Sequence, residues 1–195
     1  MYFAWLIVQQ IRADWPVLTE PRFDIETALS VSALAYLGLL LGTYWRKPPP
    51  LLSRSDWRAV LATAFAIDAL GLSLTQPVTQ PDAAVLAMSF TLAGTLLAFW
   101  SAWHLGASFS LLPQARRLVT TGPYRFVRHP IYLGGLLITV GEVWLRLSPL
   151  VIFLNLLFLV AQIARLRYEE AILCRAFPEY AAYRARTSAL IPGIV

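Results

Sequence analysis

The sequence predicts an all-α integral membrane protein of about five transmembrane helices. The last two form a helical hairpin, and a cytoplasmic helical tail follows them. Three observations point this way. Hydrophobic residues make up 58% of the 195 and charged residues only 14%, against about 25% charged in a soluble domain, and mean hydropathy is +0.61. Apolar stretches recur at bilayer length, and the arginines between them alternate rich and poor. A chain so short of charge cannot cover its surface in water, and its length suits one domain over 1–195.

The elements follow in order. The opening MYFAWLIV is too short to span and is expected in the interface, anchored by Tyr2 and Trp5. It lacks a basic n-region and a following small-residue cleavage site, so no cleavable signal peptide is expected. A helix crosses a bilayer with about 20 apolar residues. The first span is 25–45, with Glu26 its only charge, and the KPPP at 47–50 ends it because proline cannot continue a helix. The second is 57–75 and the third 83–104. Then come 131–147, a turn at Ser148 and Pro149, and 150–164, whose helix continues into the polar RLRYEEAILCRAF. Residues 1–104 thus hold the interfacial segment and spans one to three, and 105–195 hold a polar loop, the hairpin and the tail.

Arginine placement orients the chain. The loop after span one holds Arg46, Lys47, Arg54 and Arg58; TQPVTQPD after span two holds none. Arg116, Arg117, Arg125 and Arg128 follow span three, Arg146 alone follows span four, and Arg165, Arg167, Arg175, Arg184 and Arg186 follow span five. The positive-inside rule reads this alternation as an N-terminus outside and a cytoplasmic C-terminus. It also accounts for the net charge of +5 without nucleic acid, since the basic residues fall between apolar runs and not along one face. Within the spans, Glu142 and Arg146 stand i, i+4 and are expected to pair, and Asp68 is expected to face the bundle and bond a neighbouring hydroxyl. The single cysteine, Cys174, excludes an internal disulfide and is too few for a cysteine-built metal site; no metal is expected.

Polar chemistry concentrates at two places on the cytoplasmic side. The first is TGPYRFVRHPIYLG, residues 121–134. Gly122-Pro123 is a turn signal, and Pro130 at a first helical position is favoured because its missing N–H would be unpaired anyway. The N–H groups of Ile131, Tyr132 and Leu133 are then expected to face the loop as an anion site. Tyr124 and Tyr132 add flat faces for a base or a cation, and Gly134 and Gly135 permit close approach of a helix or ligand. The second place is Arg165, Tyr168, Glu169 and Glu170, with Arg165 and Glu169 on one helical face. Either a snorkelling arginine closing a helix end or one wall of a pocket for a zwitterionic small molecule accounts for that spacing. A basic loop facing phospholipid accounts equally for the arginine–histidine cluster.

LVTTGPYRFVRHPIYLGGLL, residues 118–137, followed by RYEEAILCRAFPEYAAYRARTSALIP, residues 167–192, resembles the isoprenylcysteine carboxyl methyltransferase family, which sits in a wider group with phospholipid N-methyltransferases. The likeness covers 116–192; the first two spans show no such signature. It implies a cytosol-facing pocket for S-adenosylmethionine and a lipidic methyl acceptor arriving from the bilayer. By matching positions it implies cofactor contacts at Arg116, Arg117, Leu118, Val119, Tyr124, His129, Pro130, Ile131, Tyr132 and Glu169, with Arg165 facing the substrate. Family members commonly carry glycine after the tail phenylalanine, where this chain has Pro178. The leading acceptor is the carboxylate of a prenylcysteine-like lipid. A phospholipid headgroup amine, a small thiol, a reductase of sterol type and a non-enzymatic scaffold binding anionic lipid stand as alternatives.

The arginine alternation generates a topology test. In a background lacking Cys174, a cysteine at Thr79 should label from outside the cell and one at Gln114 from inside. Labelling of Gln114 from outside alone would put the polar loop on the wrong face for a cytosolic cofactor.

Overall fold

The computed structural model describes residues 76–108, 114–191 and 193, with isolated positions 52, 53, 61–63, 65, 69, 72 and 73. The expected interfacial segment, the first span and Asp68 lie outside the described residues. The described positions from 61 to 73 are helical, in keeping with a second span.

Strand β1, Leu52–Ser53, pairs antiparallel with β2, Gln114–Ala115, with Leu52 opposite Ala115. Helix α1, Ala84–Leu105, is entered through a short turn at Pro81–Ala83 and ends at Gly106. Helix α2, Pro130–Leu145, starts on proline as expected. Helix α3, Pro149–Ala176, also starts on proline, and Ser148 caps it by accepting from the Val151 N–H at 3.2 Å. Helix α4, Tyr180–Arg186, closes the tail. The segments Pro81–Leu105 and Pro149–Ala176 are both long and apolar enough to cross a membrane, and large side chains such as Leu96, Trp103, Phe153 and Val160 face outward. That is the surface of a chain solvated by lipid.

Helix lengths decide what meets water. At 1.5 Å per residue, α2 is about 24 Å long and α3 about 42 Å, against a hydrocarbon thickness of about 30 Å. Helix α3 therefore outruns the apolar layer: measured from Pro149, Arg165 stands about 24 Å along it and Glu169 and Glu170 about 30 Å, where hydrocarbon gives way to water. Its last turns pack with β2 and α4: Ala115, Ile172, Phe177, Tyr180 and Tyr183 form one buried cluster, with Leu118 against it.

The connection between α2 and α3 is as tight as the hairpin reading requires, yet α2 packs chiefly on α1 and touches α3 far less. The reason is side-chain size. Gly94 and Ala98 of α1 meet Gly134 of α2, and Ala87 and Thr91 meet Gly141, so the backbones approach closely. Toward α3, Gly135 has only the Gln162 side chain near it, and Tyr132 meets that helix through its hydroxyl. At the other end, the loop after span two ties the hairpin down. Thr79 and Gln80 donate N–H bonds to the Leu145 carbonyl at 3.2 and 3.1 Å. Arg146 bonds the Gln76 carbonyl and its expected partner Glu142, each at 2.7 Å.

Two adjacent glycines separate these faces experimentally. A Cβ on Gly134 would lie 2.7 Å from the Gly94 carbonyl oxygen, whereas one on Gly135 meets only Gln162 at 3.7 Å. Gly134→Ala should therefore destabilise the micelle-embedded protein by about 1–3 kcal/mol, read as a lower unfolding midpoint. Gly135→Ala should leave that midpoint nearly unchanged.

Candidate functional site

The site begins with a turn that only glycine fits. Gly122 has φ +61°, and a Cβ there would run into the His104 ring at the end of α1. From it the chain makes one short helical turn, Gly122–Arg125, with Pro123 and Tyr124 buried. The loop then runs beside the tail: Val127 bridges Ser188, and the N–H groups of Arg128 and His129 donate to Ser188 and Ala189 carbonyls at 2.9 and 3.0 Å. The Tyr183 hydroxyl donates to the Tyr124 carbonyl at 2.5 Å. The tail thus forms a wall of the loop.

Arg128 is the interior of this assembly. Its side chain is 4% exposed and donates through Nε to Glu170 Oε1 at 2.8 Å. Its NH1 group bonds the Arg184 carbonyl at 3.1 Å and the Thr187 carbonyl. The same Glu170 oxygen receives His129 Nε2 at 3.2 Å and the Tyr180 hydroxyl at 3.3 Å. Burial pushes the Tyr183 phenol up to about 12 and raises that of Tyr180 as well, so both remain donors through the ordinary pH range.

Beside this cluster stands the group that the sequence singles out, joined at Tyr132. The Tyr132 hydroxyl donates to Glu169 Oε2 at 2.9 Å. Its ring lies 5.5 Å from the Arg165 guanidinium carbon and edge-on to the His129 ring, centroids 5.5 Å apart. Arg165 also donates to Gln162 at 2.7 Å, one turn earlier on α3. Two helices with little direct packing between them are thus linked by one phenol.

The structure refines several expectations. Of the residues singled out, His129, Arg165 and Glu169 meet around Tyr132, and Pro130 starts the helix that carries it. Of the Arg165–Glu169 pair of positions, Glu169 accepts from the Tyr132 hydroxyl, and Arg165 donates to Gln162 and lies by the Tyr132 ring. The anion cradle expected from Ile131, Tyr132 and Leu133 is smaller, because the Leu133 N–H already donates to the His129 carbonyl at 3.1 Å. Leu118 and Val119 pack inward, and Tyr124 is buried. Arg116 is half-buried and Arg117 exposed, just past β2. Sequence reading counted Arg128 only as a loop charge and assigned no role to Tyr180 and Tyr183, which lie within the quoted tail. The one available signal was that the charge before His129 had a second acid, Glu170, available beside Glu169.

Comparison with known proteins adds an independent line. The sequence model of the phospholipid methyltransferase family matches residues 83–180, which takes in α1, the loop, the hairpin and the start of α4. The chain is 31% identical over 141 residues to the cobalt-zinc-cadmium resistance protein CzcN of Cupriavidus metallidurans, covering 71% of this chain and 62% of that protein. It is 38% identical over 82 residues to the nickel-cobalt-cadmium resistance protein NccN of Alcaligenes xylosoxydans xylosoxydans, covering 42% of this chain and 38% of that protein. The chain therefore spans less than two thirds of each relative.

The buried guanidinium generates the prediction for this site. Arg128→Ala strands Glu170 and two tail carbonyls, and removing one partner of a buried ion pair costs about 3–5 kcal/mol. Limited proteolysis should then cut the tail near Thr187 faster than in the parent protein. Arg128→Lys, which keeps a charge but reaches fewer acceptors, should fall between the two.

Proposed function

The chain belongs to the phospholipid methyltransferase family, and from that premise we propose that it is a membrane methyltransferase. It takes S-adenosylmethionine from the cytosol and a lipidic acceptor from the bilayer, with the site and the C-terminus on the cytoplasmic face. The convergence on Tyr132 carries the reading: the hydroxyl meets Glu169, the ring meets Arg165, and its neighbour His129 sits edge-on.

The donor set suits this cofactor. A tyrosine face and a carboxylate favour cationic groups, and half-buried arginines favour a carboxylate. Arg116, Arg117, Leu118, Val119, Tyr124, His129, Pro130, Ile131, Tyr132 and Glu169 would hold the molecule, which supplies an electrophilic methyl group on a sulfonium. The favoured acceptor is a lipid carboxylate of the prenylcysteine kind. Such a group is already ionised at neutral pH, so no base is required. The methyl group would pass from the sulfonium to one acceptor oxygen, the carbon–sulfur electron pair staying on sulfur, so no proton transfer would be asked of the protein. Arg165 aims that oxygen through its planar fork. Alignment of this kind contributes up to about 7–11 kcal/mol in favourable systems, and the surrounding apolar helices keep water from the nucleophile.

A second reading follows from the family's description, a phospholipid headgroup amine. That acceptor must lose a proton. Glu170 is engaged by three donors, which leaves Glu169 for the duty. The carboxylate reading also suits kinship with proteins titled for metal resistance, since esterification removes an anionic group at which a divalent cation adsorbs.

Lipid extracts incubated with methyl-labelled cofactor identify the product as an ester or a methylated amine. With a carboxylate acceptor, Arg165→Lys should lower turnover roughly 10- to 100-fold at nearly unchanged cofactor affinity, because misalignment penalises the displacement more than the ground state. Tyr132→Phe should weaken cofactor binding roughly tenfold, the worth of one hydrogen bond to a charged group. A defect of Arg165→Lys confined to cofactor binding would remove Arg165 from the acceptor side, and no labelled lipid at all would end the reading.

A further inference from the structure

The chain has two histidines, His104 and His129, and the structure holds them by opposite ring nitrogens. His104 Nδ1 lies 2.9 Å from the Trp100 carbonyl. His129 Nε2 lies 3.2 Å from Glu170 Oε1. A carbonyl and a carboxylate only accept, so the proton of each contact belongs to the histidine: Nδ1–H in the first and Nε2–H in the second. The His129 side chain is 2% exposed, and the N–H groups of Arg128 and His129 are both tied to tail carbonyls, so its ring has little room to turn over.

We propose that Glu170 is a positioning residue that holds His129 with its proton on Nε2, so that Nδ1 is the ring's acceptor for an N–H donor on the ligand, an ammonium or amino group. Glu170 is suited to this because Arg128 and Tyr180 already grip the same oxygen at 2.8 and 3.3 Å. The carboxylate and the guanidinium balance each other's charge inside this buried cluster. Neither member of the adjacent Glu169–Glu170 pair duplicates the other. Glu169 is turned to Tyr132, and Glu170 is turned to the ring beside it. The proton's location is a property of the protein alone. That the amino group is the one on S-adenosylmethionine rests on the methyltransferase reading.

The test uses the full chain in detergent micelles with ¹⁵N-labelled histidine, and S-adenosylmethionine as the binding probe. His104→Gln assigns the two rings. The wild-type protein should show His129 as the Nε2–H form with a slowly exchanging ring proton, and His104 as the Nδ1–H form. Glu170→Ala should lose the slow His129 proton, leave the His104 signal in place, and weaken cofactor binding roughly tenfold or more. Glu170→Gln keeps an acceptor oxygen at the same place and should restore both the slow proton and most of the affinity. That rescue separates positioning from a merely structural loss.

A wild-type His129 that carries its proton on Nδ1, alone or with Nε2, overturns the proposal whether or not any variant folds. So does a Glu170→Ala protein that keeps the slow proton and full affinity. A wild-type chain that shows the protected Nε2 proton yet does not bind S-adenosylmethionine counts against the methyltransferase reading and supports Glu170 as the anchor of the ring.

Discussion

Arg128 donates to Glu170 on α3 and to the Arg184 and Thr187 carbonyls of the tail, so one buried guanidinium joins the loop, a membrane helix and the terminal helix. A charge removed from water is costly unless its donors are met, and here the acceptors come from segments far apart in sequence. The arrangement makes the tail part of the site. It faces the loop, orders His129 through its backbone, and supplies Tyr180 to the same carboxylate. The pair holds the loop, α3 and the tail in one register, because the same guanidinium meets acceptors on each.

A second constraint sits within the helices. Lipid offers no hydrophobic drive for one helix to prefer another, so association depends on close packing and polar contacts. Helix α2 shows both on opposite sides. Gly134 and Gly141 bring its backbone against α1, and Tyr132 reaches across to Glu169 and Arg165 on α3. The close seam fixes α2 against α1 and leaves its other side to polar contacts, and His104 at the end of α1 packs on Gly122 where the loop begins.

Much of this was legible from residue order. The third span, the proline start at Pro130, the turn at Gly122 and the Glu142–Arg146 pair follow from local rules and are found, whereas Pro149, read as part of a turn, opens α3. The i, i+4 spacing of Arg165 and Glu169 left a closed helix end and a pocket wall equally open, and it gave no sign that a phenol on another helix bonds Glu169. The Leu133 N–H was expected to face a ligand, yet the helix forms its first bond with the His129 carbonyl at once. Spacing rules describe one helix in isolation; they carry no term for a donor arriving from a neighbour.

The sequence by itself determined the solvent of this protein, its helical elements and the set of residues from which a site is built, because hydropathy, proline and glycine act within a few residues of themselves. Tertiary structure alone decided the partners. Arg128 looked like one more loop charge until the tail was laid beside it, and Glu169 and Glu170 looked interchangeable until the helix turned one toward Tyr132 and the other toward His129. Adjacent residues on a helix point about 100° apart, so what each meets depends on which segments fold against its face. That is settled by packing between distant stretches of chain, which no local pattern encodes.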